Sequence, residues 1–198
     1  MGWTLEERRD RIVVAALQLA ADQGTEHVNL RAAAHSAGIS WDGAREIFED
    51  HADLLRAMSR TVTAQNMDVA SLRIDGEGPF PEILEGILLQ LWGALSARRD
   101  HQIVSYELAL VALRRTFLRS LATEQHEQAR GTAGEVLVAV AEAHGVRWTT
   151  GTDDLARLAA TFLEGLSITW VVDHDDAAAG RQVRLLAQFL AGHAQPDR

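Results

Sequence analysis

The chain has 198 residues, 47% of them apolar, which is enough to bury a sizeable core and excludes a disordered or fibrous protein. The absence of cysteine excludes a disulfide framework, a thiolate nucleophile and a zinc site built on cysteines. A formal net charge of −9 excludes a uniformly basic nucleic-acid-binding protein, so any such partner requires cations gathered on one face.

Hydropathy along the chain indicates a cytoplasmic protein with no membrane partner. Residues 1–11 are charged, and the apolar segment of a signal peptide does not follow them. No uninterrupted apolar run reaches the ~20 residues that a membrane-spanning helix needs.

The first predicted element is an amphipathic helix over about residues 4–23. Thr4 is a suitable N-cap, and the acidic pair Glu6 and Glu7 follows in the first turn, where the helix dipole favours negative charge. Gly24 is predicted to end this helix. Apolar residues recur on one side at helical spacing, namely Ile12, Ala16, Leu19 and Ala20.

Residues 28–55 have the pattern of two short helices joined by a tight turn, followed by the start of a longer helix. The two short helices are predicted at about 29–37, with Asn29 as the cap, and at about 41–48. Gly38 lies where the chain reverses and where a positive φ costs glycine nothing. Ser40 precedes the next helix and can cap its free amide groups. This layout is typical of a DNA-binding helix-turn-helix.

Taken in order, these features resemble the N-terminal domain of a TetR-family regulator. The resemblance covers about the first quarter of the chain and rests on Ala15-Ala16, Gly24, Ala34, Ala37-Gly38-Ile39-Ser40, Phe48 and Leu54-Leu55. It implies a homodimeric, ligand-responsive transcription regulator. Such a protein, most simply a repressor, binds a double-stranded DNA operator and leaves it when a small apolar molecule fills the helical body.

The candidate DNA-binding residues lie around the second helix of this motif. Arg45 can donate to a guanine or to a phosphate, and Trp41 can stack on the sugar-phosphate edge or contact a thymine methyl. The complete predicted set is Arg31, Ser40, Trp41, Gly43, Arg45 and His51.

The charge of this region supports an alternative. Residues 1–60 contain seven arginines and ten acidic residues, and Asp42 and Glu46 would face the phosphates. The resembled family usually has tyrosine at the position of Arg45, a small residue at that of Asp42 and lysine at that of His51. In the alternative, DNA binding is weakened or lost, and the same helical dimer binds a small molecule or a partner, or is catalytic.

The remainder of the chain is helical by period, which predicts an all-α fold of about nine helices. A helix from about residue 52 into 69–72 precedes a break at residues 73–81, and later helices are predicted at about 100–121, 123–144, 153–173 and 177–194. The predicted domains are a helix-turn-helix domain at 1–50 and a larger ligand-binding and dimerisation domain at 51–198.

Aromatic residues spread over the later helices predict a pocket for a mostly apolar ligand. The candidate ligand-binding residues are Trp92, Tyr106, Glu107, Phe117, Phe162 and Trp170. Each aromatic residue could equally be part of the core. Glu107, which has apolar neighbours, could instead form an ion pair with Arg114 or Arg115.

The last two predicted helices are suited to pairing with a second copy of the chain, as the resemblance implies. Two helix-turn-helix domains must bind two half-sites that lie about one helical turn of DNA apart, or a multiple of it. This requirement favours a two-fold dimer. The predicted interface residues are Leu158, Phe162, Leu166, Val183, Leu186, Phe189 and Leu190. These residues could also close the core of a monomer.

Residues that could carry chemistry form no catalytic constellation, so we expect no enzymatic activity and no cofactor. The acidic segment at residues 173–176 contains Asp173, His174, Asp175 and Asp176. It could suggest a metal site, but we interpret it as the end of one helix and the acidic start of the next, and predict no metal.

Overall fold

A computed structural model describes residues 3–66 and 72–197, apart from the side chains of Asn66 and Phe117. Within these ranges the chain forms nine α-helices and a two-stranded antiparallel sheet, which confirms the predicted all-α class. The helices are α1 (Leu5–Gln23), α2 (Leu30–Ser36), α3 (Trp41–Arg45), α4 (His51–Asn66), α5 (Phe80–Ser96), α6 (Arg99–Arg114), α7 (Arg119–His144), α8 (Thr152–Asp173) and α9 (Asp176–Ala191). The strands are β1 (Val146–Trp148) and β2 (Ala194–Pro196).

The helices group into two compact units. The N-terminal unit combines Met1–Gln65 with Asp100–Gln125, and the C-terminal unit combines Asn66–Arg99 with His126–Arg198. The division into functional domains at residue 50 stays a prediction, because compactness alone does not show which part folds or acts independently.

Local side-chain caps start the first three helices where the sequence predicts them. The Thr4 hydroxyl accepts a hydrogen bond from the Glu7 amide while the Glu7 carboxylate accepts one from the Thr4 amide, which is a capping box. Asn29 caps α2 and Ser40 caps α3. Gly38 has a φ of 70° in the turn between them, as its position in the motif predicts.

The core of the N-terminal unit is continuous from α1 to the start of α7. Phe48, which follows α3, is 1% exposed and packs in the same cluster as Ile12 of α1 and Leu54 of α4. Residues beyond position 100 complete this cluster, namely Val104, Leu108, Ala112, Leu118, Leu121 and Ala122. The helix-turn-helix is therefore held by helices that come much later in the chain.

The C-terminal unit is built around α5, which packs along α9 and also contacts α8. Trp92 of α5 meets Trp170 of α8 edge to face, with 5.8 Å between the ring centroids. The Trp170 indole N–H donates to the Asp176 carboxylate at 2.7 Å, which ties the end of α8 to the start of α9. Between these helices His174 adopts a left-handed conformation with a φ of 56°.

Some predicted element boundaries differ from the structure, and one lies outside the described residues. The helix expected over 100–121 ends at Arg114, because Arg115 is extended and a 3-10 turn at Thr116–Leu118 precedes α7. Residues 146–148, expected in a loop, form β1 and pair with β2 near the chain end. The predicted extension of α4 into residues 67–71 lies outside the described residues.

Helix α8 is long and apolar enough, by length and composition, to cross a membrane. Core helices have the same properties, and α8 buries Leu155, Leu163 and Leu166 in its own unit. Helix α8 is therefore accounted for as a core helix.

Candidate nucleic-acid interface

An open groove of about 430 Å³ lies along α2, α3 and the start of α4. Four of the six predicted DNA-binding residues line it, namely Arg31, Trp41, Arg45 and His51. The other lining residues are Val28, Asn29, Leu30, Glu49 and Asp50. The structure thus brings most of the predicted set together, although the groove also contains two carboxylates.

Arg31 and Trp41 form a stacked pair in this groove. The Arg31 guanidinium carbon lies 4.6 Å from the centroid of the Trp41 ring, within the range of a cation–π contact. The Trp41 side chain is 37% exposed, so one face of the ring stays accessible to solvent. The pair presents a cation and an aromatic surface side by side, which suits a phosphate-and-sugar edge.

Ser40 and Gly43, the other two predicted residues, contact each other. The Ser40 hydroxyl accepts a hydrogen bond from the Gly43 amide at 3.1 Å. A Cβ added at Gly43 would lie 3.1 Å from that same hydroxyl oxygen. A side chain at position 43 would therefore crowd the cap, and the two residues position α3.

The three arginines of α1 contact other groups of the N-terminal unit: Arg8 and Arg9 are half-buried, and Arg11 is exposed. Arg9 lies with its guanidinium carbon 4.5 Å from the Phe48 ring centroid, and it also donates to the Ile47 carbonyl and to Asp53. Arg11 packs over Trp3 at 3.7 Å, and Arg8 lies 4.0 Å from Glu46. The contacts of Arg8 and Arg9 bind α1 to the residues of and after α3, and the charge of these two arginines is partly balanced by Glu46 and Asp53.

His51 lies at the first position of α4, half-buried at the edge of the groove. Burial lowers its pKa from the usual 6.5, the nearby Arg115 guanidinium lowers it further, and the Asp50 carboxylate opposes the shift. Its Nδ1 atom is buried, and within the described residues it has no hydrogen-bond partner. His51 is therefore neutral at pH 7 and adds no charge to the groove.

The predicted ligand-binding residues fall in both units, and one of them makes a contact that the sequence did not suggest. The Glu107 carboxylate accepts a hydrogen bond from the buried Thr25 amide at 2.9 Å, which joins α6 to the 3-10 turn at Thr25–His27. The sequence could not suggest this contact, because a bond across 82 positions has no local signature. Ligand binding by Glu107 stays a prediction.

The remaining predicted ligand residues are placed as follows. Tyr106 is half-buried in the N-terminal unit, whereas Trp92, Trp170 and the half-buried Phe162 belong to the C-terminal unit. The Phe117 side chain lies outside the described residues. Ligand binding by these residues stays a prediction.

Most of the predicted dimer-interface residues are buried within the chain itself. Val183, Leu186 and Leu190 of α9 are almost completely covered, since α9 packs on α5, and Leu166 of α8 is buried in the same unit. These four therefore cannot face a partner, which corrects the prediction. Leu158 and Phe189 are exposed and Phe162 is half-buried, so these three remain candidates.

The structure reveals further exposed apolar residues on the same two helices. Val172 of α8 is 76% exposed and Leu185 of α9 is 62% exposed, and Ile168 is exposed as well. Leu158, Ile168 and Val172 lie within about 80° around α8 at 100° per residue, so they share one face. These exposed residues also recur at helical spacing in the sequence, but the predicted interface used the neighbouring stripe, most of which is buried.

The acidic segment after α8 serves the helix ends. Asp175 caps α9 by accepting from the Ala178 amide at 2.8 Å, and Asp173 accepts from the Asp175 amide. Asp176 accepts from Trp170. Among the described residues, no group of three or more potential ligands is arranged to hold a metal ion.

Comparison with protein-family models and with curated proteins finds no match. Solved structures do match over nearly the whole chain. A transcriptional regulator from Rhodococcus sp. Rha1 has a TM-score of 0.72 at 18% identity, covering 94% of this chain and 97% of its own. A protein from Rhodococcus sp. assigned to the TetR family of transcriptional regulators has a TM-score of 0.69 at 19% identity, covering 93% and 98%.

A third match is the multidrug binding protein EbrR complexed with ethidium. It has a TM-score of 0.69 at 23% identity, covering 93% of this chain and 99% of that one. Each of these matches covers 93% or 94% of this chain, and not the helix-turn-helix alone. The chain therefore has the fold of the TetR-family transcriptional regulators.

Proposed function

We propose that this protein is a cytoplasmic, homodimeric transcription regulator that binds a double-stranded DNA operator and acts as a repressor. The observation that carries the proposal is the groove along α2 and α3, where Arg31, Trp41 and Arg45 lie together beside a capped, exposed helix. An α-helix with basic and aromatic side chains at its start fits the major groove of DNA.

Pairing of two chains would place two such grooves on one duplex. The apolar face of α8 and α9, formed by Leu158, Ile168, Val172, Leu185 and Phe189, is the surface we assign to this contact. A two-fold dimer uses the same patch on both copies, so one apolar stripe is sufficient. The operator would accordingly be a short palindrome.

Regulation by a small apolar molecule is the second part of the proposal. The similarity to EbrR, which was solved with the aromatic cation ethidium, supports a small ligand with a large hydrophobic surface. Aromatic residues of the C-terminal unit, among them Trp92 and Phe162, are the proposed contacts. A ligand would release the operator if it binds the DNA-incompetent arrangement of the dimer more tightly than the competent one.

One observation favours a second candidate function. Arg8, Arg9 and Arg11 contact groups of their own unit, and Glu49 and Asp50 line the groove. Few cations are then left for phosphates, which dominate DNA affinity. In this second candidate the dimer has lost operator binding and binds a small molecule or a protein partner instead.

A gel-shift experiment with the purified protein separates the two candidates. The probe is the DNA upstream of its own gene, at low and at physiological salt. A regulator gives a defined complex whose affinity falls steeply with salt, because phosphate contacts release counterions. A folded dimer that binds no fragment even at low salt would support the second candidate.

Arg45→Ala gives the first specific prediction. If Arg45 contacts a base, its loss weakens operator binding by about 1–3 kcal/mol, measured by titration of the gel shift. The control is Arg181→Ala, which removes an exposed arginine of α9 in the C-terminal unit. Equal affinity of Arg45→Ala and the parent protein would contradict the assignment of Arg45.

A further inference from the structure

We propose that Asp42 reads a cytosine and that, together with Arg45, it makes the operator half-site rich in G·C pairs. This inference rests on the proposed function, since it names the bases that the same surface recognises. It assigns a specificity-determining role to a carboxylate that, by its charge alone, would be expected to weaken DNA binding.

The surroundings of Asp42 differ from those of Asp53 and Glu46, which both lie beside arginines of α1. Asp53 accepts from Arg9, and Glu46 lies 4.0 Å from Arg8. Asp42 is exposed in the first turn of α3, and the described parts of the chain give its carboxylate neither a hydrogen bond nor an ion pair. Its carboxylate can therefore accept a hydrogen bond from a donor on a bound molecule.

The chemistry of the major groove limits what a carboxylate can contact there. A carboxylate only accepts hydrogen bonds, and phosphate oxygens offer it no donor. The donors on the base edges are the cytosine N4 amine and the adenine N6 amine. Adenine presents its N7 acceptor beside that amine, and this acceptor would repel a carboxylate. On the major-groove edge of cytosine, the amine has no acceptor of the same base beside it. Cytosine is therefore the base that fits Asp42.

Arg45 supplies the complementary contact within the same helical turn. It follows Asp42 by three residues, which corresponds to about 4.5 Å along the helix axis. Adjacent bases on one strand are separated by about 3.4 Å. The two side chains can thus reach neighbouring or next-neighbouring steps, and arginine donates to O6 and N7 of guanine. Ser40 caps the start of the helix that carries both, and Trp41 at its first position stacks on Arg31 of α2.

The test is a selection of bound duplexes from a library with a randomised central region, carried out with the full chain. The parent protein is compared with Asp42→Asn, with Asp42→Ala and with Asp10→Asn, which removes an exposed carboxylate of α1. Affinities are then measured on the selected duplex and on versions with each base pair changed. Thermal unfolding of every variant is measured in parallel.

The inference expects the parent to enrich cytosine at one position and guanine within two steps of it. Asp42→Ala should lose about 5- to 100-fold in affinity for the selected duplex and accept any base at the cytosine position. Asp42→Asn should shift that position toward adenine, because an amide pairs with both N6 and N7 of adenine. Asp10→Asn should keep the cytosine preference of the parent.

Two results would overturn the inference. If Asp42→Ala binds all duplexes more tightly with the same base preference as the parent, Asp42 only repels DNA, and the proposed function stands without it. If the parent enriches no sequence even at low salt, both the inference and the proposed function fail. If a variant of Asp42 unfolds at a lower temperature but keeps the base preference of the parent, the inference is also overturned. Asp42 would then contribute only to the stability of the helix start.

Discussion

Arginines of the N-terminal unit serve two purposes that their positions in the sequence do not distinguish. Arg9 and Arg11 stack on aromatic rings and donate to backbone carbonyls of the same unit. Arg31 also stacks on a ring, but that ring is the exposed Trp41 beside the groove. A guanidinium is planar and can pack on a ring while keeping donors free, which a lysine ammonium cannot do in the same way. Arg31→Lys is therefore not a conservative change at this position.

The lowered pKa of His51 should make the free energy of unfolding depend on pH. The folded state holds the pKa of His51 below 6.5 by burial and by the nearby Arg115. The unfolded chain takes up a proton near pH 6.5 that the folded chain does not. The free energy of unfolding should therefore fall as the pH decreases from about 6.5 toward the lowered pKa, and His51→Gln should remove this part of the fall.

Urea unfolding at several pH values between 8 and 5 checks this prediction. The comparison is with His35→Gln, since His35 is exposed in the same unit. The pH dependence of His51→Gln should be flatter than that of both the parent and His35→Gln. Identical slopes for all three proteins would show that His51 titrates alike in the folded and unfolded chains.

Among the helical elements, the bond between Glu107 and Thr25 is the contact most easily tested. The Thr25 side chain and its surroundings are buried, so loss of the acceptor leaves a buried amide without a partner. Glu107→Ala should lower the free energy of unfolding by about 1–3 kcal/mol. Glu107→Gln retains an acceptor oxygen and should lose less.

The measurement is chemical unfolding followed by circular dichroism. Glu135→Ala, which removes an exposed carboxylate from α7, is the control and should leave stability nearly unchanged. A Glu107→Ala protein as stable as this control would mean that the Thr25 amide finds another acceptor.

Helix starts and tight turns in this chain are predictable from sequence because they depend on neighbouring residues. Thr4, Asn29 and Ser40 each accept from an amide three positions later, and Gly38 has the positive φ that its turn requires. These interactions are complete within a few residues, so their signatures are visible in the sequence.

Long-range contacts and the orientation of helices could not be predicted in the same way. Helix α9 carries two neighbouring apolar stripes, one with Val183 and Leu190 and one with Leu185 and Phe189. Periodicity identifies both stripes but cannot say which one meets α5. The pairing of β1 with β2 likewise joins short segments whose composition has no strand pattern. The groove residues were predicted because they cluster around one local motif.

At the scale of the whole molecule, the exposed apolar face of α8 and α9 predicts the oligomeric state. Val172→Glu or Leu185→Glu would place a charge in the centre of the proposed dimer contact, where it would be desolvated without a partner. Either change should raise the dissociation constant of the dimer about tenfold or more. Sedimentation of the parent and variants over a range of concentrations measures this constant.

A leucine outside this face provides the matched control. Leu110 of α6 is 57% exposed and belongs to the N-terminal unit, so Leu110→Glu should sediment as the parent does. If the parent itself is a monomer at all concentrations, the dimer assignment is wrong. If all three variants dissociate equally, the effect is not specific to the assigned face.

The discontinuous make-up of the N-terminal unit limits how its proposed DNA-binding part could be transferred to another protein. A fragment that stops at residue 66 would keep α1 to α4 but lose Leu108, Leu118 and Leu121, and would expose the apolar surface that they cover. A chimaera that grafts only residues 1–66 onto another helical body must therefore supply equivalent side chains from that body. An N-terminal unit moved to another protein would therefore have to include the helices that follow residue 100, because their side chains complete its core.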